Sequence, residues 1–109
     1  MKGIDVYVEE AAQNPAVSIL RVSGYVDTTT SPDLERRLQA LLKEKRFHIV
    51  VDLASVEYIS SAGLGVLLKT QKRLMASGGK LRLHNVGNHI YDIFKYSGFD
   101  QLFEVERAN

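Results

Sequence analysis

From Phe47 to the C-terminus, the apolar residues of this 109-residue chain alternate between two periods, and this alternation narrows the available folds more than any other feature. Phe47, Ile49, Val51 and Leu53 recur at every second position, as in a strand with one buried face. Leu64, Leu67, Leu68, Gln71, Leu74 and Met75 then trace one face of a long helix that Gly78-Gly79 terminates. Lys80 to Val86 returns to the strand period. Asn88 to Ser97 carries Ile90, Ile93 and Phe94 on one helical face with Gly98 just after, and Leu102 to Val105 predicts a short last strand. Such alternation implies parallel strands joined by right-handed crossovers. With consecutive strands as neighbours, every helix falls on the same side of the sheet.

The first third of the chain reads differently. Ile4, Val6 and Val8 alternate with polar residues and Val17 to Ser23 is a second strand-like run, so Gln13-Asn14-Pro15 reads as a hairpin connection. Ser31-Pro32 sets a cap residue before a proline at the first helical position, and Leu34, Leu38, Leu41 and Leu42 follow at one-face spacing. A helix is predicted over roughly 32–45, with Lys43-Glu44-Lys45-Arg46 closing its negative end. The expected fold is α/β: a mixed, mostly parallel sheet of four to five strands with an N-terminal antiparallel hairpin and helices mainly on one face. Leu81 and Leu83 join the inward set of the strand at Phe47, while His48, Asp52, Arg82 and His84 point to a partly wet open face.

Composition bounds the function classes. A hydrophobic share of 45% and a charged share of 25% suit one soluble domain over 1–109. Net charge is +1 and the basic residues are scattered, which disfavours nucleic-acid binding. With no cysteine there is no disulfide, redox couple or thiolate metal site. Met1 to Glu10 carries acids where a signal peptide needs an apolar core, and no apolar run approaches the ~20 residues of a membrane span. A cytoplasmic chain without membrane insertion, mainly monomeric when free, is expected. His48, His84 and His89 contain no pair at the helical spacing of a zinc motif, and Gly65 is followed by Val66-Leu67 rather than the lysine of a phosphate loop. No metal, no nucleotide and no other cofactor is expected.

Chemistry concentrates in Tyr58-Ile59-Ser60-Ser61-Ala62-Gly63-Leu64-Gly65, where two hydroxyls stand between a strand end and a helix start. Unpaired N–H groups and the helix dipole favour an anion there, so Ser61 reads either as an N-cap or as the carrier of a phosphate. Ala62, Gly63 and Gly65 leave room for it. Glycine in a helix costs ~1 kcal/mol relative to Ala, and close approach of a partner or tight helix-on-sheet packing each explains finding two. At Gly63 the expectation leans to a partner, because a first-turn side chain at an exposed helix start meets little core. The serine nucleophile elbow needs a glycine two residues before the serine, where this chain has Ile59. A small serine hydrolase is therefore the enzyme-class alternative, supported by half a motif.

Val51-Asp52-Leu53, followed by Val56 to Leu68, resembles the signature of bacterial STAS-domain proteins, the anti-sigma factor antagonists. The likeness runs nearly the whole chain, from the N-terminal hairpin and the Ser23-Gly24-Tyr25-Val26-Asp27 turn to the pattern Ile90, Ile93, Phe94, Gly98 and Phe99. Aligned on Gly63, Ser61 matches the family's phosphate acceptor, Ser60 stands where the motif has Asp, and Ala62 replaces its second hydroxyl. The resemblance implies a one-sided strand-helix fold and a binding module rather than an enzyme. Its unphosphorylated form would capture a serine-kinase anti-sigma factor, which binds the ATP, and so free a sigma factor. Phosphorylation at Ser61, less so at Ser60, would switch it off and a phosphoserine phosphatase would reset it. The resemblance also places the Asp27 turn near the acceptor, beside its plain turn-making role. Ser60, Ala62, Gly63 and Gly65, with Lys69 and Lys72 on the outer helix face, complete the expected partner-binding set. Because Ser60 replaces the Asp, a STAS subunit of another assembly, a stress-signalling or lipid-transport complex without a phosphoswitch, is the alternative.

Overall fold

The computed structural model describes residues 3–108. Strands β1 (Ile4–Ala11), β2 (Asn14–Val26), β3 (His48–Ile59), β4 (Lys80–Val86) and β5 (Glu104–Arg107) form one sheet in the order β1-β2-β3-β4-β5. The β1-β2 pair is antiparallel and the other pairs are parallel. Helices α1 (Ser31–Lys43), α2 (Ser61–Ala76) and α3 (Asn88–Ser97) make the crossovers. Each parallel step moves the sheet in the same direction, so right-handed connections stack all of them on one face.

Between that face and the helices lie Leu20, Leu38, Val51, Leu67, Leu74, Leu83 and Phe94, all fully buried. Gln71 shares the buried stripe of α2 for a polar reason. Its Oε1 accepts from Leu81 N at 3.0 Å and its Nε2 donates to Leu102 O at 3.0 Å, tying the helix to β4 and to the segment before β5. Met75, expected on the same stripe, lies at its solvent end and is exposed.

Several expected boundaries move. The hairpin turns at Ala12-Gln13, and Asn14 and Pro15 already belong to β2, where Asn14 Oδ1 accepts from Ala16 N at 3.1 Å. The turn expected at Gly24 is instead an irregularity inside β2: Gly24 has φ +99, and a Cβ there would lie 2.3 Å from Gly3 O. Ser31 is buried within α1, and Thr30 holds the N-cap position without a side-chain cap bond. The helix stops at Lys43 because Lys45 turns left-handed (φ 59), with Arg46 N donating to Leu41 O at 2.9 Å. Arg46 then leaves the helix end and donates to Ser18 Oγ and Pro15 O. The last strand falls at Glu104–Arg107 rather than Leu102–Val105.

On the open face, Asp52 is buried rather than wet. Its Oδ2 accepts from Arg21 Nη1 at 2.6 Å and Asn85 Nδ2 at 2.9 Å, and its Oδ1 from Ala54 N at 2.9 Å. Arg21 also reaches Glu9 at 2.7 Å, and these partners raise the guanidinium pKa further, the Glu9 hydrogen bond most. Cross-strand pairs therefore cover the middle of a face that no helix of the described chain covers.

Candidate functional site

β3 is the element that sets the site. It was expected to end at Leu53 but continues to Ile59, because the long strand β2 stays beside it through Val26↔Ile59. β4 pairs with β3 only as far as Asp52, so the end of β3 projects past β4 and, among the described residues, is flanked by strand on the β2 side only. Ser60 N donates to Val26 O at 2.8 Å, and the chain then turns directly into α2.

Ser60, not Ser61, is the N-cap. Its backbone is extended (φ −89, ψ 172), its Oγ accepts from Gly63 N at 3.4 Å, and its carbonyl accepts from Leu64 N at 2.9 Å. Ser61 is the first helical residue and is exposed, which leaves its hydroxyl free of the capping task. The first turn of α2 holds no acidic residue, and α2 carries no Lys, Arg or His before Lys69.

The two glycines part company. A Cβ on Gly63 would stand 2.5 Å from Val26 Cγ1 and 2.9 Å from Ile59 Cγ1, so this glycine is there for helix-on-sheet packing and is buried. The partner-facing expectation for it is corrected: the first turn of α2 lies down on the ends of β2 and β3. Gly65 has nothing within 4 Å of such a Cβ and faces solvent. Ala62 is half-buried, while Lys69 and Lys72 are exposed farther along the helix. Lys69 Nζ lies 2.5 Å from Glu35 Oε2 of α1.

Asp27 makes the turn between β2 and α1. Its Oδ1 accepts from Thr29 N at 2.9 Å and Thr30 N at 3.0 Å, while Thr30 Oγ1 accepts from Asp27 N at 2.9 Å and donates to Tyr25 O at 2.6 Å. The neighbouring Val26 carbonyl is the one that holds Ser60 N, so this network fixes Asp27 and the two serines at the C-terminal ends of β2 and β3. The sequence reading missed what flanks them. Tyr58, Leu64, Ile93 and Tyr96 border the serines across an open groove of ≈ 420 Å³ between the end of β3 and α3. The available signal was Tyr96, three residues past Ile93 and outside the buried stripe of Ile90 and Phe94.

Fold and site together define a one-sided α/β domain that presents a serine at the start of a helix. The family described as "Mlab, STAS domain" matches residues 10–104, and the chain belongs to the STAS-domain family. The anti-sigma-B factor antagonist of Staphylococcus epidermidis is 33% identical over 89 residues, 82% of each chain. A crystal structure of an anti-sigma factor antagonist from Mycobacterium paratuberculosis superposes with a TM-score of 0.84 at 28% identity, covering 94% of this chain and 85% of the other. The anti-sigma factor antagonist SpoIIAA in its unphosphorylated form shares the fold, with a TM-score of 0.77 at 17% identity over 93% of this chain and 87% of its own.

Proposed function

We propose that this chain is an anti-sigma factor antagonist of one STAS domain, working in the cytoplasm as a binding module and not as an enzyme. Unphosphorylated, it captures a serine-kinase anti-sigma factor and so releases a sigma factor. In the complex, Ser61 Oγ attacks the γ-phosphorus of ATP held by the partner. The bond from that phosphorus to the bridging oxygen breaks, ADP leaves, and the hydroxyl proton passes to a base of the partner or to solvent. A phosphoserine phosphatase returns the serine.

The observation that carries this reading is the placing of Ser61: exposed, released from capping by Ser60, and without a cation on the first two turns of its helix. Phosphate adds about −1.5 to −2 charges. The helix start favours it by up to ~2 kcal/mol, so the modified domain stays folded. Lys69, eight residues on, sits about 12 Å along the axis at 1.5 Å per residue, beyond a screening length of about 8 Å at physiological salt, and is paired with Glu35. The charge therefore meets the partner uncompensated, at ~2–5 kcal/mol, or about 30-fold to several thousand-fold in affinity. Asp27 and Ser60 frame the contact, with Ala62, Gly65, Lys69 and Lys72 on its α2 side.

The test is capture of the partner from native lysate with and without ATP, with mass spectrometry of the bound protein and the Ser60/Ser61 peptide. Ser61→Ala is expected to bind and to resist release by ATP, and Ser61→Asp to bind weakly. If both variants bind alike and no phosphate appears at Ser61 or Ser60, the phosphoswitch fails. The second reading then stands: an unswitched STAS subunit of a stress-signalling or lipid-transport complex, favoured by Ser60 in place of the motif's Asp. A serine hydrolase has less support, since no histidine is hydrogen-bonded to Ser61 among the described residues.

A further inference from the structure

Tyr96 is 94% exposed on α3 and Tyr58 is 41% exposed at the end of β3, although both sit beside a well-formed core. Between them runs the groove that has Ser61 on its rim, and among the described residues no charged one lines it: its walls are Tyr58, Leu64, Ile93 and Tyr96, with serines at the edges. Cations on the outer face of α2 begin only at Lys69, about 12 Å along the axis, and continue with Lys72 and Arg73. The immediate surroundings of the serine are thus aromatic and uncharged on the groove side.

We propose that the serine-kinase anti-sigma factor seats an apolar side chain in this groove, with Tyr96 as the anchoring contact. The inference rests on the function proposed above and goes beyond the serine motif to α3. Three arguments favour this occupant. First, a kinase must bring its γ-phosphate onto Ser61 Oγ, and an ordinary interface covers about 800 Å² per partner, a disc of about 16 Å radius. A footprint of that size centred on Ser61 also takes in the groove it borders. Second, tyrosines offer large, stiff, amphipathic contact area and dominate binding hot spots. Tyr96 contributes little packing to its own fold, so its ring is available for contact with another molecule. Third, an apolar group entering an uncharged groove strips water from its rim. A phosphate on Ser61 would lose hydration there and find no cation in the groove, so the same feature that strengthens capture sharpens release.

The experiment uses the kinase recovered in the capture above, purified, against the full chain and its Tyr96→Ala, Tyr96→Phe and Tyr58→Ala variants. Isothermal titration is expected to show about 10-fold or greater loss for Tyr96→Ala, a smaller loss for Tyr58→Ala and near wild-type binding for Tyr96→Phe, with unchanged melting of both Tyr96 variants. Wild type that is bound and phosphorylated, with Tyr96→Ala binding equally well, overturns this inference and leaves the proposed function intact. Absence of any kinase that phosphorylates Ser61 or Ser60 removes the function and this occupant together. Self-association of wild type in sedimentation velocity that Tyr96→Ala abolishes assigns the groove to a second copy and overturns the proposal.

Discussion

Replacing Gly63 and Gly65 separately by alanine should change stability in opposite directions, although both glycines lie near the start of one helix. At Gly63 the added methyl would stand 2.5 Å from Val26 Cγ1 and 2.9 Å from Ile59 Cγ1, against an ordinary carbon contact of about 3.5–4.0 Å. Val26 and Ile59 are both buried and β-branched, so neither can swing aside as the end of a long side chain would. Overpacking of this kind costs about 1–3 kcal/mol, and a gap this short belongs in the upper part of that range. The gain in helix propensity from Gly to Ala offsets at most ~1 kcal/mol. Gly63→Ala should therefore lose about 1–2 kcal/mol. At Gly65 the methyl meets nothing within 4 Å, so the propensity gain of up to ~1 kcal/mol stands alone. For a domain of this size each kcal/mol moves the melting temperature by roughly 4 °C, giving a fall of about 4–8 °C for Gly63→Ala and a rise of up to about 4 °C for Gly65→Ala. Differential scanning calorimetry of the two variants decides it. A Gly63→Ala protein that melts at or above wild type would refute the packing assignment.

Ser60→Ala should cost about 0.5–1 kcal/mol, the lower part of the N-cap range because the bond to Gly63 N is 3.4 Å, whereas Ser61→Ala should stay within about 0.5 kcal/mol of wild type. Urea unfolding in which Ser61→Ala is the costlier of the two would move the cap to Ser61. Arg21→Ala leaves the buried Asp52 carboxylate to Asn85 and the Ala54 N–H, a loss of about 1–3 kcal/mol. Arg21→Met combined with Asp52→Leu should recover much of it, and a double variant no more stable than Arg21→Ala would contradict that account. The Glu104 carboxylate is held below its ordinary value of 4.5 by the hydrogen bond from Lys80 and then by Arg82. Its contribution is complete above the ordinary carboxylate pKa and is lost as pH falls through the lowered one. Glu104→Gln should therefore flatten the fall in melting temperature below about pH 4.5, and an unchanged acid limb would show that the pair does not matter.

Much of the fold was legible because helix and strand periods differ so plainly after Phe47, and because Gly78-Gly79 and Gly98 mark helix ends. Boundaries that depend on a neighbouring strand were not. Nothing in Ala54 to Glu57 reads as a strand by alternation, and only the partner β2 holds that stretch extended, through two register irregularities. Asp52 lies on the expected face, which is partly wet as expected at His48, Arg82 and His84, but Asp52 itself is buried. Its burial depends on Arg21 and Asn85, 31 and 33 residues away, and no local pattern reports that. At the serines, composition located the helix start, but which hydroxyl caps it turns on one residue of register. For Gly63 the deciding atoms belong to Val26 and Ile59, the ends of two different strands.

Those same contacts constrain how any switch at this helix start can operate. The start of α2 is fixed from beneath by Val26 and Ile59 against Gly63, from behind by the Ser60 cap, and at its side by the Val26–Ser60 backbone bond. A phosphate on Ser61 cannot swing the helix outward without breaking that set. The exposed hydroxyl itself meets no such obstacle, since it takes no part in the cap. On the proposed reading, the modification therefore changes the charge of the surface and not its shape. Free and phosphorylated domains should then share one backbone, and the whole of the affinity change has to arise where Ser61 meets the partner. This accounts for a hydroxyl on a fixed helix start rather than on a mobile loop: a fixed position keeps the added charge inside the interface, where it cannot turn back to water.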